Sequence, residues 1–195
     1  MFFRSLIAAS IALSAAGANA YTVFEDNFNS YGADQLNWNA ATSPWTVTNG
    51  TVDVIGAGGS YDFVPGNGSY LDLDGSTNLA GLISTSLNLT AGVQYTATFQ
   101  LAGNHRGAAD DTVDAIFGGA SGAYTLTSGA GFTTYSLVFT PTATQTYTLS
   151  FDDRGTDNQG ALLDNVKVTA VPEPGSLALV LAGLGVVGFA ARRRF

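Results

Sequence analysis

From Val93 to Leu101 the side chains alternate: Val93, Tyr95, Ala97, Phe99 and Leu101 are apolar, and Gln94, Thr96, Thr98 and Gln100 between them are polar. That period of two belongs to a β-strand with one face in a core and the other in water, and a helix does not present it. Tyr135, Leu137 and Phe139 repeat the pattern, as do Tyr147, Leu149 and Phe151. Further strands are predicted at 23–28, 45–47, 51–55, 70–73, 82–86, 112–117, 123–127 and 161–169, separated by turns such as Gly66-Asn67-Gly68 and Gly118-Gly119. Between residues 21 and 170 no stretch has a helical period long enough to form a helix. About nine to eleven short antiparallel strands must each bury one face, and a two-sheet sandwich does this within one domain. The expected fold is all-β, a single jelly-roll β-sandwich over 21–170. No fixed repeat of the kind a solenoid requires is present.

The two ends are different in kind. Residues 1–20 combine a basic start at Arg4, an apolar run from Leu6 to Ala16, and Ala18-Asn19-Ala20, the three parts of a secretory signal peptide, with cleavage expected after Ala20. Residues 176–191 carry no charge and are followed at once by Arg192, Arg193 and Arg194. The sixteen residues are slightly short for a transmembrane helix, but arginine stems can reach the interface from inside it. Positive charge stays cytoplasmic, so the preceding domain is placed outside. Pro172, Glu173 and Pro174 stand before this helix, where two prolines prevent any strand or helix from continuing. Pro-Glu-Pro, an apolar segment and a terminal arginine cluster together resemble the PEP-CTERM sorting signal of exosortase-bearing Gram-negative bacteria. The resemblance covers residues 171–195 and implies recognition by an exosortase-type processing enzyme, transient anchoring in the cytoplasmic (inner) membrane, and release to the cell surface or the exopolysaccharide matrix. A permanent single-helix anchor is the alternative.

Between the ends, fourteen acidic side chains meet only Arg106, Arg154 and Lys167, a net charge of −11. Such a domain repels nucleic acid, so no nucleic-acid partner is expected, while divalent cations and neutral glycans are compatible with it. Cysteine is absent, so no disulfide staples the exported domain.

In the last predicted strand Leu162, Val166 and Val168 share a phase with Asp164, and in the first Phe24 and Phe28 flank Asp26 in phase. A lone carboxylate on a buried face is costly unless a cation or hydrogen-bond donors compensate it. First and last strands of a jelly roll often lie side by side. Glu25, Asp26, Asp164 and Asn165 therefore form a candidate oxygen-only site for structural calcium, Ca2+. The alternative is that a bulge turns each aspartate outward, or that each caps a backbone turn. In Tyr70-Leu71-Asp72-Leu73-Asp74 the leucines share one face and the aspartates the other, which places those aspartates in solvent.

The catalytic inventory is thin: His105 is the only histidine, and no serine or lysine sits in a nucleophile motif. No enzyme activity is expected. The stretches Tyr70-Leu71-Asp72-Leu73-Asp74-Gly75, Ala91-Gly92-Val93-Gln94-Tyr95, Leu101-Ala102-Gly103-Asn104 and 160–168 together resemble the galactose-binding-like jelly rolls of bacterial choice-of-anchor proteins and plant cell-wall proteins. That resemblance implies a non-catalytic module that binds extracellular polysaccharide or belongs to the matrix, often with calcium near the chain ends. Sugar binding needs an aromatic face and polar groups for hydroxyls. Trp38 and Trp45 are candidates, Trp38 as the exposed platform, with Tyr61 and the Asn104-His105-Arg106 loop adding contacts. A purely structural matrix protein and a glycan-active hydrolase using two carboxylates remain alternatives.

Overall fold

The computed structural model describes residues 20–41, 43–171, 183 and 185. The expected cleavage residue Ala18 and the sorting residues Pro172, Glu173, Pro174, Arg192, Arg193 and Arg194 lie outside the described residues. Of the expected helix at 176–191 only Gly183 and Gly185, both helical, are described.

Ala20–Val171 is a compact unit built from twelve strands. They are β1 (Tyr21–Asp26), β2 (Gln35–Trp38), β3 (Thr46–Thr48), β4 (Val52–Ile55), β5 (Tyr70–Asp72) and β6 (Leu82–Leu89), then β7 (Gln94–Ala102), β8 (Asp111–Phe117), β9 (Ala120–Leu126), β10 (Thr133–Phe139), β11 (Gln145–Asp153) and β12 (Leu162–Val171). One sheet has seven strands in the order β10-β7-β12-β5-β4-β2, with β1 also paired to β12; the other has five, β3-β6-β11-β8-β9. First and last strands are antiparallel neighbours, with Asp26 opposite Val166. The two sheets form the jelly-roll sandwich that the alternation predicts. Tyr95, Ala97, Phe99 and Leu101 of β7 lie in the inner core with Leu149 and Phe151 of β11 and Val113, Ala115 and Phe117 of β8.

Three departures from simple alternation matter for the site. In β12 the register against β7 shifts between Asp164 and Lys167, and Asn165 takes φ 48°. This bulge moves the strand's phase by one residue, so Leu163, Val166 and Val168 face the inner core while Leu162 joins Ile55, Tyr70 and Ala102 in a second cluster. Leu162 therefore does not share a face with Val166 and Val168 as the spacing suggested. In β2 the register against β4 shifts between Gln35 and Trp38, and Asn37 takes φ 55°. Asn37 and Asn39 stay exposed while Trp38 between them is buried. The expectation of an exposed Trp38 platform is corrected here: on a strand, polar neighbours at both sides mark an inward residue. Its ring centroid lies 4.8 Å from that of Tyr31.

The third departure is in β5. Leu71 and Leu73 face the inner core, as read, but Asp72 and Asp74 on the opposite face are 1% and 0% exposed. They are not solvated. Segments 104–106 and 154–160 cover that face and supply the hydrogen bonds that make burial tolerable.

Candidate functional site

Asp53 on β4 and Asp72 on β5 are cross-strand partners on the outer face of the seven-stranded sheet. They form the floor of a cleft of about 390 Å³ walled by Leu36, Ile55, Tyr61, Phe63, Ser76, Arg106, Asn158 and Gln159. Asp53 is held by the Asn37 amide at 2.6 Å and by the Ser76 amide and hydroxyl at 3.2 and 2.7 Å. Asp72 accepts from the Asp74 and Gly160 amides, both at 3.1 Å, and from Arg106 Nη2 at 2.5 Å. Arg106 Nη1 donates to the Asn158 carbonyl at 2.9 Å, and the guanidinium lies 4.8 Å from the centroid of the Phe63 ring. Arginine suits this position because its planar fork can bond and stack at once.

The loop that presents Arg106 hangs on Asn104, which is fully buried. The Asn104 amide donates to the Ala109 carbonyl and to Asp111, and its oxygen accepts from the Arg106 amide and the Ser128 hydroxyl. His105 takes φ 53° and turns away, its Nε2 lying 3.0 Å from the Ala130 carbonyl. On the opposite wall, Tyr70 Oη accepts from the Phe63 and Val64 amides and fixes the segment carrying Tyr61. Tyr61 is 43% exposed and Leu36 is 44% exposed. Of the candidate sugar contacts, then, Tyr61 and Arg106 meet in the cleft, and Asn104 and His105 shape its loop. Trp45, 4% exposed, is a core residue whose Nε1 donates to Asp26 Oδ2 at 2.8 Å. It is no sugar platform, because its ring is enclosed by Phe24, Phe28 and Phe151.

Beneath the cleft, Asp74, Asp111 and Asp153 are also nearly inaccessible. Burial pushes Asp72 up to about 8 despite the pull of Arg106, and Asp111 up to about 7, with the charge of Asp153 adding. Asp153 rises to about 6, again mainly through burial. For such acids the folded chain holds protons that the unfolded chain has already released, so stability falls as pH rises between the ordinary value of 3.8 and about 8. The expected result is a melting temperature at about pH 5 above that at about pH 8. Calorimetric melts across this range check it, and a rising melting temperature would contradict it.

The expected cation ligands Glu25, Asp26, Asp164 and Asn165 lie on the paired strands β1 and β12. Glu25, Asp26 and Asn165 line a cavity of about 250 Å³ there. Glu25 accepts from Lys167 Nζ at 3.2 Å. Asp26 accepts from the Phe28 amide, Tyr31 Oη and Trp45 Nε1. Asp164 accepts from the Asn165 amide and from the side-chain amides of Asn67 and Asn165. Burial pushes Asp164 up to about 6, and the charge of Asp26 adds to this. Among the described residues no group of three or more His, Cys, Asp or Glu side chains is arranged to hold a metal ion.

The two sheets define a jelly-roll β-sandwich. Residues 22–169 match the family described as "Protein of unknown function (DUF642)", and the chain belongs to that family. Residues 170–194 match the PEP-CTERM protein-sorting motif, a signal for export and sorting to the cell surface. No curated protein matches the sequence. Among solved structures, a cyclase from Fischerella sp. TAU is similar with a TM-score of 0.54 at 14% identity, covering 79% of this chain and 98% of the cyclase. The CBM22-1 xylan-binding domain of Paenibacillus barcinonensis Xyn10C is similar with a TM-score of 0.52 at 18% identity, covering 82% of this chain and 99% of the domain. The CBM22-1-CBM22-2 tandem of the same protein gives 0.52 at 20% identity, covering 82% of this chain and 47% of the tandem. At these identities the likeness is one of fold, and one of these neighbours is an enzyme.

Proposed function

We propose that the sandwich is a non-catalytic polysaccharide-binding module, delivered by an exosortase-type processing enzyme to the cell surface or extracellular matrix after transient anchoring in the membrane. The observation that carries this reading is the cleft itself. Tyr61 offers a half-exposed aromatic ring and Leu36 an apolar edge beside a ring of fixed polar groups, the combination that a sugar's apolar face and hydroxyls require. A larger surface concavity of about 520 Å³ lies on the five-stranded sheet, but Leu82, Ile116 and small or acidic residues line it, with no aromatic ring. The similar Paenibacillus domain is a xylan-binding one, which supports a glycan as ligand class. A non-catalytic role is supported by Asp53 and Asp72, each of which already accepts three hydrogen bonds from the protein. Titration calorimetry with a panel of neutral oligosaccharides tests the reading. Saturable binding without released reducing ends supports it; reducing ends in the mixture favour the hydrolase alternative, and no binding by any glycan favours a purely structural matrix protein.

We also propose calcium at the β1–β12 seam, where it would tie the chain ends together in place of a disulfide. The support is the convergence of Glu25, Asp26 and Asn165 on one cavity, with Asp164 close enough for its charge and that of Asp26 to repel. Chelation is expected to lower the melting temperature of the wild type and to leave that of Asp164→Ala unchanged. Equal melts with and without chelator would end this proposal.

A further inference from the structure

We infer that the cleft selects its glycan by charge, taking amino-bearing chains most tightly, neutral chains less so, and excluding uronic or sulfated ones; this rests on the polysaccharide reading above. Asp53 and the buried Asp72, which holds its proton up to about pH 8, form the floor of the cleft, so the negative charge comes from Asp53 and from the acids of the segments that wall it. Asp34 binds the Gly56 and Ser60 amides just before Tyr61, Asp62 lies between Tyr61 and Phe63, and Asp157 is exposed next to Asn158. Against these acids stands, among the described residues, one cation, Arg106, whose terminal nitrogens are both engaged and whose Nε is buried without a partner, out of a ligand's reach. Nη2 is given to Asp72, Nη1 to the Asn158 carbonyl, and one face to Phe63.

The other two cations among the described residues are also committed, Arg154 to Asp114 at 2.8 Å and Lys167 to Glu25 at 3.2 Å. A glycan carboxylate or sulfate entering the cleft would lose water, find its one cation already engaged, and meet several acids within a screening length. An ammonium group on the sugar meets the opposite field, and the low-dielectric walls of Ile55, Phe63 and Leu36 strengthen it. Neutral sugars feel neither effect and depend on the Tyr61 face and hydroxyl bonds alone.

The test uses the full-length protein in detergent and three oligosaccharide sets of equal length: glucosamine oligomers, a neutral panel of glucan, xylan and galactan oligomers, and galacturonate oligomers. At low salt glucosamine oligomers are expected to bind most tightly, and galacturonate at least about ten-fold more weakly than the best neutral chain. High salt should close most of that gap, because the discrimination is electrostatic. Asp157→Asn, which removes an exposed charge from the rim, should narrow it at low salt without changing neutral binding. Galacturonate binding as tightly as the neutral chains would overturn the charge selection and leave the polysaccharide reading standing. Failure of every set to bind would overturn that reading, and the selection with it.

Discussion

Arg106→Leu is expected to lower the stability of the sandwich by about 3 kcal/mol when measured above the Asp72 pKa of about 8. Asp72 is 1% exposed, and among the described residues Arg106 is its only cationic partner at hydrogen-bond distance. Removing one member of a buried pair leaves the other charge without compensation, which is more damaging than losing the pair's net attraction. For a domain of this size the change corresponds to a fall in melting temperature of roughly 6–12 °C. The loss should shrink toward acid pH, where Asp72 takes up a proton and no longer needs the guanidinium. Arg106→Lys keeps the charge but not the fork that reaches Asp72 and Asn158 together, so an intermediate loss is expected. Urea melts of the two variants and of Arg106→Leu with Asp72→Asn check the argument. The double variant should recover part of the loss, and a single-variant loss below about 1 kcal/mol at alkaline pH would show that the pair is not the cleft's keystone.

Tyr61→Ala is expected to weaken glycan binding at least about ten-fold while leaving the melting temperature nearly unchanged. Its ring is 43% exposed at the rim, so truncation removes a stacking surface without opening a core cavity. Buried aromatics behave in the opposite way. Trp38 and Trp45, at 7% and 4% exposure, belong to the inner core, and truncating either would leave a void that unfolds the domain before it informs on sugar contact. Calorimetric titration of Tyr61→Ala beside its thermal melt separates the two effects. Unchanged affinity would remove Tyr61 from the binding surface.

How much of the fold and the cleft is legible in the sequence depends on whether the signal is local. The alternation in 93–101, 135–139 and 147–151 reports the pleat directly, and β7, β10 and β11 lie where it places them. The four-residue β2 shows no alternation in the sequence because a left-handed Asn37 breaks its phase. That same residue hid the inward direction of Trp38. Asn165 did the equivalent in β12, where the bulge removes Asp164 from the face of Val166 and sets it under the Asn67 amide. Asn at a positive φ is common enough that an Asn beside an out-of-phase residue is a usable warning of a bulge.

The cleft was only half legible. Tyr61 and Arg106 could be singled out as an aromatic and a loop cation, but their meeting depends on segments far apart in sequence. Asp53 and Asp72 gave no local sign of pairing with a loop cation; in a chain with this many acids, any two could be opposed. What marks them is the cross-strand register of β4 and β5, together with a covering loop anchored by Asn104. Long-range closure of that kind leaves no period in a sequence.

Amide NMR of the labelled protein titrated with the tightest-binding oligosaccharide bears most directly on where sugar binds. Shifts confined to Tyr61, Phe63, Arg106, Asn158 and Gln159 are the predicted result. Shifts centred instead on Ile116, Ser121 and Ser150, across the five-stranded sheet, would contradict it.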